Sequence, residues 1–421
     1  MEYRNKKVIV LGMGKSGRAV SEFLQKRGAT VWQFDDHLSV ERDEALFCRD
    51  YDFAVISPGI ALNNRTVVKL RGNAIPILSE PDLAYLNCES KHIFAISGTN
   101  GKTTACHILH KMLSTVGRSH LVGNIGTPFI EETERVGKKD AVVMEISSFQ
   151  IEQSELFRPE IAALTNLGED HLDRHLNREN YRNIKLSLLD RAEIKVVNGD
   201  DPAQRAGSGW IRYSLEDESA DYLLRGRKVF CHGKEYRLPA QSRGKGYDLD
   251  YLCAFAVAAT YCGVKRSFLS VYDKVALPPY RNQRIGKLCG AEVINDSKGT
   301  NIDATLFAIG LLDSSAALIL GGSDKGEDYH RLMRGLDARV ERVYLVGANA
   351  SEMYFAAEEE VRKKCLLMSD LERCVRDFVE RPLPILLFSP ASASFDHYKN
   401  YEERGKCFDE IIQKYRGACK S

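Results

Sequence analysis

The sequence predicts an α/β protein of three domains, each built on a parallel sheet. A Rossmann-like domain comes first, then a mononucleotide-binding domain with a phosphate loop, then a second Rossmann-like domain. Three observations predict this. Short, continuous apolar runs alternate with helical stretches, the pattern of strands buried on both faces under crossover helices. Polar, glycine-rich clusters follow these runs directly, where open parallel sheets bind their ligands. Two breaks in the pattern divide the chain into 1–86, 87–277 and 278–421, and 421 residues suit about three domains at roughly 150 residues each.

The elements follow in order. Val8-Ile9-Val10-Leu11 is a buried strand, and Gly12-Met13-Gly14-Lys15-Ser16-Gly17 turns it into a helix that ends near Arg27-Gly28. Thr30–Phe34 is a second strand ending in Asp35-Asp36, and Phe53–Ile56 a third ending in Ser57-Pro58-Gly59. A new unit opens with the strand Ile93–Ile96, the segment Ser97-Gly98-Thr99-Asn100-Gly101-Lys102-Thr103-Thr104, and a helix carrying Ile108, Leu109, Met112 and Leu113. Strands at Ala141–Met144 and Ile161–Leu164 end before Glu145 and before Thr165-Asn166. From Asp200 to Gly246 the pattern is short, polar and turn-rich, and reads as an antiparallel excursion. Residues 250–262 form an Ala-rich buried helix, and Leu277-Pro278-Pro279 breaks the chain. Further apolar runs at Val293-Ile294, Ala317–Leu320, Val343–Val346 and Ile385–Phe388 each lead into a polar or glycine cluster.

Composition excludes several classes of function. Lys plus Arg is 59 and Asp plus Glu is 58, a net charge of +1, which gives no electrostatic argument for nucleic acid or an anionic membrane. No apolar run approaches the ~18 residues of a spanning helix, and the first residues lack the apolar core and cleavage site of a secretory signal. Eleven cysteines without a C-x-x-C pair speak against a disulfide framework or structural zinc and for a reducing cytoplasm.

Three motifs carry chemistry. Gly98-Thr99-Asn100-Gly101-Lys102-Thr103-Thr104 is a shortened phosphate loop. Its backbone N–H groups can curl around phosphate oxygens, Lys102 can reach the β and γ oxygens, and the Thr103 hydroxyl can ligate Mg²⁺. The alternative is a glycine turn that only caps a helix. Gly12-x-Gly14-x-x-Gly17, with Asp35 eighteen residues on, matches a dinucleotide fingerprint. That geometry asks only for close backbone approach to a diphosphate, so NAD, another nucleotide diphosphate and a plain packing turn all remain open. Glu145 can be a hard oxygen ligand for Mg²⁺, and His171 lies in Gly168-Glu169-Asp170-His171-Leu172-Asp173-Arg174-His175. Beside a phosphate loop these suggest a second cation rather than zinc; without it they would read as a solvated turn. Lys185 alone would be an ordinary helix lysine, and His107 and His110 read as structural.

Longer blocks then match a known family. GTNGKTT at 98–104, GNIGTP at 123–128, MEISSFQIE at 144–152, TNLGEDHLDRH at 165–175 and YRNIKLSLL at 181–189 occur in order. NDSKGTN at 295–301, GGSDKGEDY at 321–329 and SPASASFDHYKNYEERG at 389–405 complete the set. The chain resembles the Mur ligases over nearly its whole length, and the last blocks resemble the members that add D-glutamate.

The resemblance implies that ATP converts the carboxylate of UDP-N-acetylmuramoyl-L-alanine to an acyl phosphate, which the amine of D-glutamate attacks. It makes Lys102, Glu145, His171 and Lys185 the catalytic set. Gly98, Thr99, Asn100, Gly101, Lys102, Thr103 and Thr104, with Arg281 and Asp296, would bind ATP. Thr103 and Glu145 would hold one Mg²⁺, while His171 and Lys185, the lysine as a carbamate, would hold a second. Lys15, Ser16, Asp35, Asp36, Gly59, Asn124 and Gln150 would contact the UDP substrate. Lys298, Thr300, Lys325, Ser394, Phe395 and Tyr401 would bind D-glutamate, with Lys325 and Thr300 on its side-chain carboxylate and Ser394 on the α-carboxylate. A cytoplasmic monomer acting on small molecules, with no nucleic-acid or membrane partner, is expected.

The sequence departs from the family at Asp36-His37 in the uracil site, at Tyr247-Asp248 and Tyr251 in the adenine site, and at Tyr280 before Arg281. An adenine pocket that leans on tyrosine stacking is the expectation. Alternatives are another Mur-type or folylpolyglutamate-type ligase, a nicotinamide dehydrogenase built on Gly12–Gly17, and a noncatalytic nucleotide-binding regulator. The dehydrogenase leaves the 98–104 loop without a purpose. A folate ligase would not need the N-terminal fingerprint domain.

Overall fold

Residues 2–35, 50–204, 207–275, 279–324 and 326–417 are described by a computed structural model. Asp36, His37 and Lys325, and the break at Leu277-Pro278, lie outside the described residues. The chain divides into two compact units, Met1–Leu167 with Arg182–Val275, and Gly168–Tyr181 with Ala276–Ser421.

The first unit holds two sheets. Strands β1 (Lys7–Leu11), β2 (Thr30–Phe34), β3 (Phe53–Ile56) and β4 (Ile77–Ser79) pair in the order β2-β1-β3-β4, all parallel. The apolar run Val8–Leu11 is buried in full, as a central strand covered on both faces must be. The second sheet is built from β5 (Ile93–Ser97), β6 (Ser119–Gly123), β7 (Ala141–Glu145), β8 (Ile161–Leu164), β9 (Ile194–Asn198), β10 (Ile211–Ser214), β11 (Tyr222–Arg225), β12 (Lys228–Cys231) and β13 (Lys234–Arg237). Its order is β13-β12-β11-β10-β9-β8-β5-β7-β6. From β6 to β11 every pairing is parallel, so the turn-rich stretch from Asp200 to Gly246 is antiparallel only in its later part, where β12 and β13 add a ribbon to β11.

One apolar core runs through both sheets of this unit. It joins Val8, Val10 and Leu24 to Leu83, Phe129, Ile130, Ile151 and Phe157. The Ala-rich helix spans Lys245–Cys262 and is buried from Asp250 to Ala259, its small side chains allowing close approach to the helix Lys102–Leu113 and the sheet.

The second unit carries β14 (Gln283–Leu288), β15 (Ala291–Asn295), β16 (Ala316–Leu320), β17 (Val340–Leu345), β18 (Cys365–Leu367) and β19 (Ile385–Phe388). They pair as β14-β15-β19-β16-β17-β18, parallel except for the β14–β15 hairpin. Cores cover both faces of this sheet. Eight cysteines among the described residues are free thiols. Cys289 is disulfide-bonded; cysteine spacing in the sequence carries no information on which thiols meet. No helix among the described residues is long and apolar enough to cross a membrane.

Candidate active site

The phosphate loop leaves the carboxyl end of β5, which lies between β8 and β7. Register pairs Ile96 with Glu145 and Ser97 with Leu164, so the loop, Glu145 and Thr165 emerge together at the carboxyl ends of these strands. Gly98 (φ +141°) and Gly101 (φ +83°) hold backbone angles that side chains disfavour. Space excludes a side chain as well: a Cβ on Gly98 would overlap the Thr165 hydroxyl, and one on Gly101 the Asp250 carboxylate. The Thr99 amide donates to the Asn166 carbonyl at 2.8 Å, and the Asn100 amide to Asn166 Oδ1 at 2.9 Å. Lys102 folds back over the loop, its Nζ 2.8 Å from both the Gly98 and Thr99 carbonyls. The Thr104 hydroxyl is buried and has no hydrogen-bond partner. A buried polar atom left in this way is uncommon in a native fold, and here it sits in a loop suited to anions.

Thr103 and Glu145 meet beside the loop. The Thr103 hydroxyl donates to Glu145 Oε2 at 2.8 Å, and Asn124 Nδ2 donates to Oε1 at 2.8 Å. Glu145 is buried, and its two carboxylate oxygens are turned toward Thr103 and Asn124. Lys185 is also buried, 1% exposed, with Nζ 2.8 Å from the Gly98 carbonyl and 3.4 Å from Ser97 Oγ. His171 belongs to the second unit. It holds a left-handed backbone (φ +54°), with its amide on Asp170 Oδ1 at 2.9 Å.

In the N-terminal fingerprint, Gly12 has φ +84°, and a Cβ on Gly17 would overlap the Gly12 carbonyl oxygen. A Cβ on Gly14 would meet nothing within 4 Å, so that glycine borders open space. Asp35 Oδ2 accepts from the Met13 amide at 2.7 Å and so braces the turn. Lys15, exposed, donates to the Gly126 carbonyl, and Ser16 is half-buried beside it. Gly59 is exposed with open space at its Cβ position. Gln150 is buried and closes the capping box of the helix Ser148–Gln153 with Ser147.

The second unit brings further expected residues together. Lys298 Nζ lies 3.9 Å from the centre of the Tyr401 ring, and the Thr300 amide donates to the Lys298 carbonyl at 2.8 Å. Ser394 is buried, Phe395 is 74% exposed, and the Phe395 amide donates to Ser323 Oγ at 3.1 Å. Asp296 accepts from the Asn282 amide at 2.8 Å and from Ser389 Oγ at 2.6 Å. Burial pushes its carboxyl up to about 6, against the pull of those bonds and of Arg281. Arg281 has a buried Nε without a hydrogen-bond partner.

One expectation fails. Tyr251 is fully buried, its OH on the Phe268 carbonyl and its ring against Tyr272 at 4.8 Å. Tyr247 is buried with its OH on the Tyr272 carbonyl at 2.6 Å, and the Arg243 guanidinium lies 4.2 Å from its ring centre. Tyr251 is enclosed by the core and the Arg243 guanidinium covers a face of Tyr247, so neither ring presents a face for adenine. Sequence reasoning also passed over Asn166, which clamps the loop, and Asp250, which walls it. Both contacts join distant segments, and a place at or beside a strand end was the available signal for Asn166 alone.

Residues 96–255 match the Mur ligase middle domain. The UDP-N-acetylmuramoylalanine–D-glutamate ligase of Caldanaerobacter subterraneus subsp. tengcongensis is 33% identical, over 99% of this chain and 100% of the relative. The enzyme of that name from Pelotomaculum thermopropionicum is 32% identical over 98% of each. Among solved structures, the MurF ligase of Thermotoga maritima in complex with ADP superposes with a TM-score of 0.65 at 16% identity, covering 99% of this chain and 96% of that one. That last likeness concerns the fold, while the full-length identity concerns descent, and on it the chain belongs to the Mur ligase family.

Proposed function

We propose that the protein joins UDP-N-acetylmuramoyl-L-alanine to D-glutamate at the expense of ATP. The observation that carries the chemistry is the oxygen pair of Thr103 and Glu145, 2.8 Å apart at the rim of the phosphate loop. Both are oxygen ligands of the hard kind that Mg²⁺ takes. The choice of substrates is supported by relatives of that name along the full chain. The same reading takes 1–86, 87–277 and 278–421 as domains, each with one of the three sheets, in a monomer acting in the cytoplasm.

The residues can bear the reaction. The substrate carboxylate takes the γ-phosphoryl group of ATP, the D-glutamate amine attacks the acyl carbon, and phosphate leaves. The loop amides and Lys102 hold the phosphates in line, which is positioning and charge stabilisation rather than covalent catalysis. Mg²⁺, when bound, lowers the repulsion between two anionic reactants. Thr103 and Glu145 would hold one ion. Lys185 as a carbamate would offer hard oxygens to a second, and His171 is assigned to it by its block alone. Gly14 leaves room for a diphosphate, with Lys15, Ser16 and Asn124 near the approach. Lys298, Thr300, Ser394, Phe395 and Tyr401 are assigned to D-glutamate, together with Lys325.

Titration calorimetry tests the assignment of the N-terminal fingerprint. Saturable binding of UDP-N-acetylmuramoyl-L-alanine with no heat from NAD is expected. Saturable NAD binding with no response to the UDP substrate would return the dehydrogenase reading.

A further inference from the structure

Glu80 is a buried carboxylate to which none of the chemistry above gives a role. It opens the helix Glu80–Asn87 and is 1% exposed. Its Oε1 accepts from the Ile130 amide at 2.8 Å, and the Phe129 amide also faces the carboxylate. Those amides belong to the first turn of the short helix Phe129–Glu132. A helix start leaves its first N–H groups without partners inside the helix. The residue at the cap position is Pro128, which makes no capping bond and has no side-chain acceptor to offer. Glu80 supplies the missing acceptor from fifty residues away, and its second oxygen is buried without a partner. The site isolates the carboxyl enough to push it up to about 7, burial being the main cause.

The capped helix ends a loop with two further attachments. Gly123 donates to the Thr127 carbonyl at 3.0 Å and closes the loop on itself. Asn124 holds Glu145 twice, its amide on the Glu145 carbonyl at 2.9 Å and its side chain on Oε1 at 2.8 Å. Gly126 accepts from Lys15 of the fingerprint turn. One loop thus touches the candidate cation ligand, the candidate diphosphate site and, at its end, the helix that Glu80 caps.

We infer that Glu80 is a positioning residue: by capping the helix Phe129–Glu132 from outside, it fixes the 123–128 loop and so sets Asn124 against Glu145 and Gly126 against Lys15. The inference rests on the ligase reading for its kinetic consequence, and its structural half stands apart from it. A lost helix cap corresponds to a factor of roughly 2 to 30 in an equilibrium.

Glu80→Ala, Glu80→Gln and Glu80→Asp separate the possibilities. Glutamine keeps an acceptor at Oε1, while aspartate is one methylene too short to reach. Glu80→Ala should raise the Michaelis constant for the UDP substrate and the half-activating Mg²⁺ concentration about tenfold. The constant for D-glutamate should stay within about twofold, and Glu80→Gln should restore the first two. Glu80→Asp should resemble Glu80→Ala and serves if the alanine variant does not fold. Constants that all move together, no change in any variant, or a glutamine variant as impaired as the alanine one would overturn the inference. Amide hydrogen exchange over residues 123–130 is read in parallel. Exchange should quicken about tenfold in Glu80→Ala or Glu80→Asp and not in Glu80→Gln, and unchanged exchange would overturn the inference even if the wild-type protein formed no amide bond.

Discussion

Lys185 sits 1% exposed with its Nζ against the Gly98 carbonyl and near Ser97 Oγ, under a loop suited to phosphates. Beside Mg²⁺ an ammonium would repel the ion. N-carboxylation by carbon dioxide would turn it into an oxygen donor of the kind Mg²⁺ takes. Lys185→Ala should therefore lose activity by at least about a hundredfold, as removal of a positioned charge does. Added acetate or another short carboxylic acid should restore part of it. Rescue by amines and not by carboxylates would contradict the carbamate. At this scale the sequence was informative where a spacing has one chemical use. Gly98, Gly101, Lys102 and Thr103 could be read that way because a phosphate loop constrains each of them. Asp250 could not, since its approach to Gly101 depends on how the helix Lys245–Cys262 packs. Tyr247 and Tyr251 misled for the same reason: an aromatic side chain on a helix reads alike whether it faces a ligand or the core.

The strand–turn–helix unit is the element that recurs through the chain, and its glycines do different things at different turns. Gly17 lies where the helix Lys15–Lys26 crosses the Gly12 carbonyl, and a side chain there has no room. Gly14 has an ordinary φ of −67° and open space, so its lack of a side chain serves whatever approaches. Gly17→Ala should destabilise the protein by about 1–3 kcal/mol through overpacking, seen as a lower melting temperature. Gly14→Ala should melt within about 0.5 kcal/mol of wild type and yet bind the UDP substrate more weakly in calorimetry. Equal melting of the two variants, or full binding by Gly14→Ala, would contradict this division of roles. Most central strands were legible because burial on both faces leaves a continuous apolar run, as at Ile93–Ile96 and Ile385–Phe388. Strands such as Ser119–Gly123, Ile77–Ser79 and Cys365–Leu367 were not. The first two of these are partly polar, two have three residues, and all three lie at sheet edges, where pairing is decided by neighbours rather than by composition.

Across the whole molecule, three sheets in chain order present their strand ends as loops rich in glycine and polar residues, and several of those in the second and third sheets fall in blocks shared with the Mur ligases. The sequence conveyed the α/β class and that kinship together, because long ordered blocks constrain far more than any single motif. It conveyed less about the grouping of segments: Gly168–Tyr181 joins the second compact unit although it lies well inside the middle third of the chain, a consequence of packing that no local pattern records. The central claim is that this fold couples ATP cleavage to one specific amide bond. Phosphate release from ATP, followed continuously with UDP-N-acetylmuramoyl-L-alanine and D-glutamate added singly and together, tests it most directly. Release should require both substrates, yield one phosphate per amide formed, and fall to background when L-glutamate replaces D-glutamate. Release that ignores the amino acid, or reduction of NAD without any phosphate release, would contradict the claim.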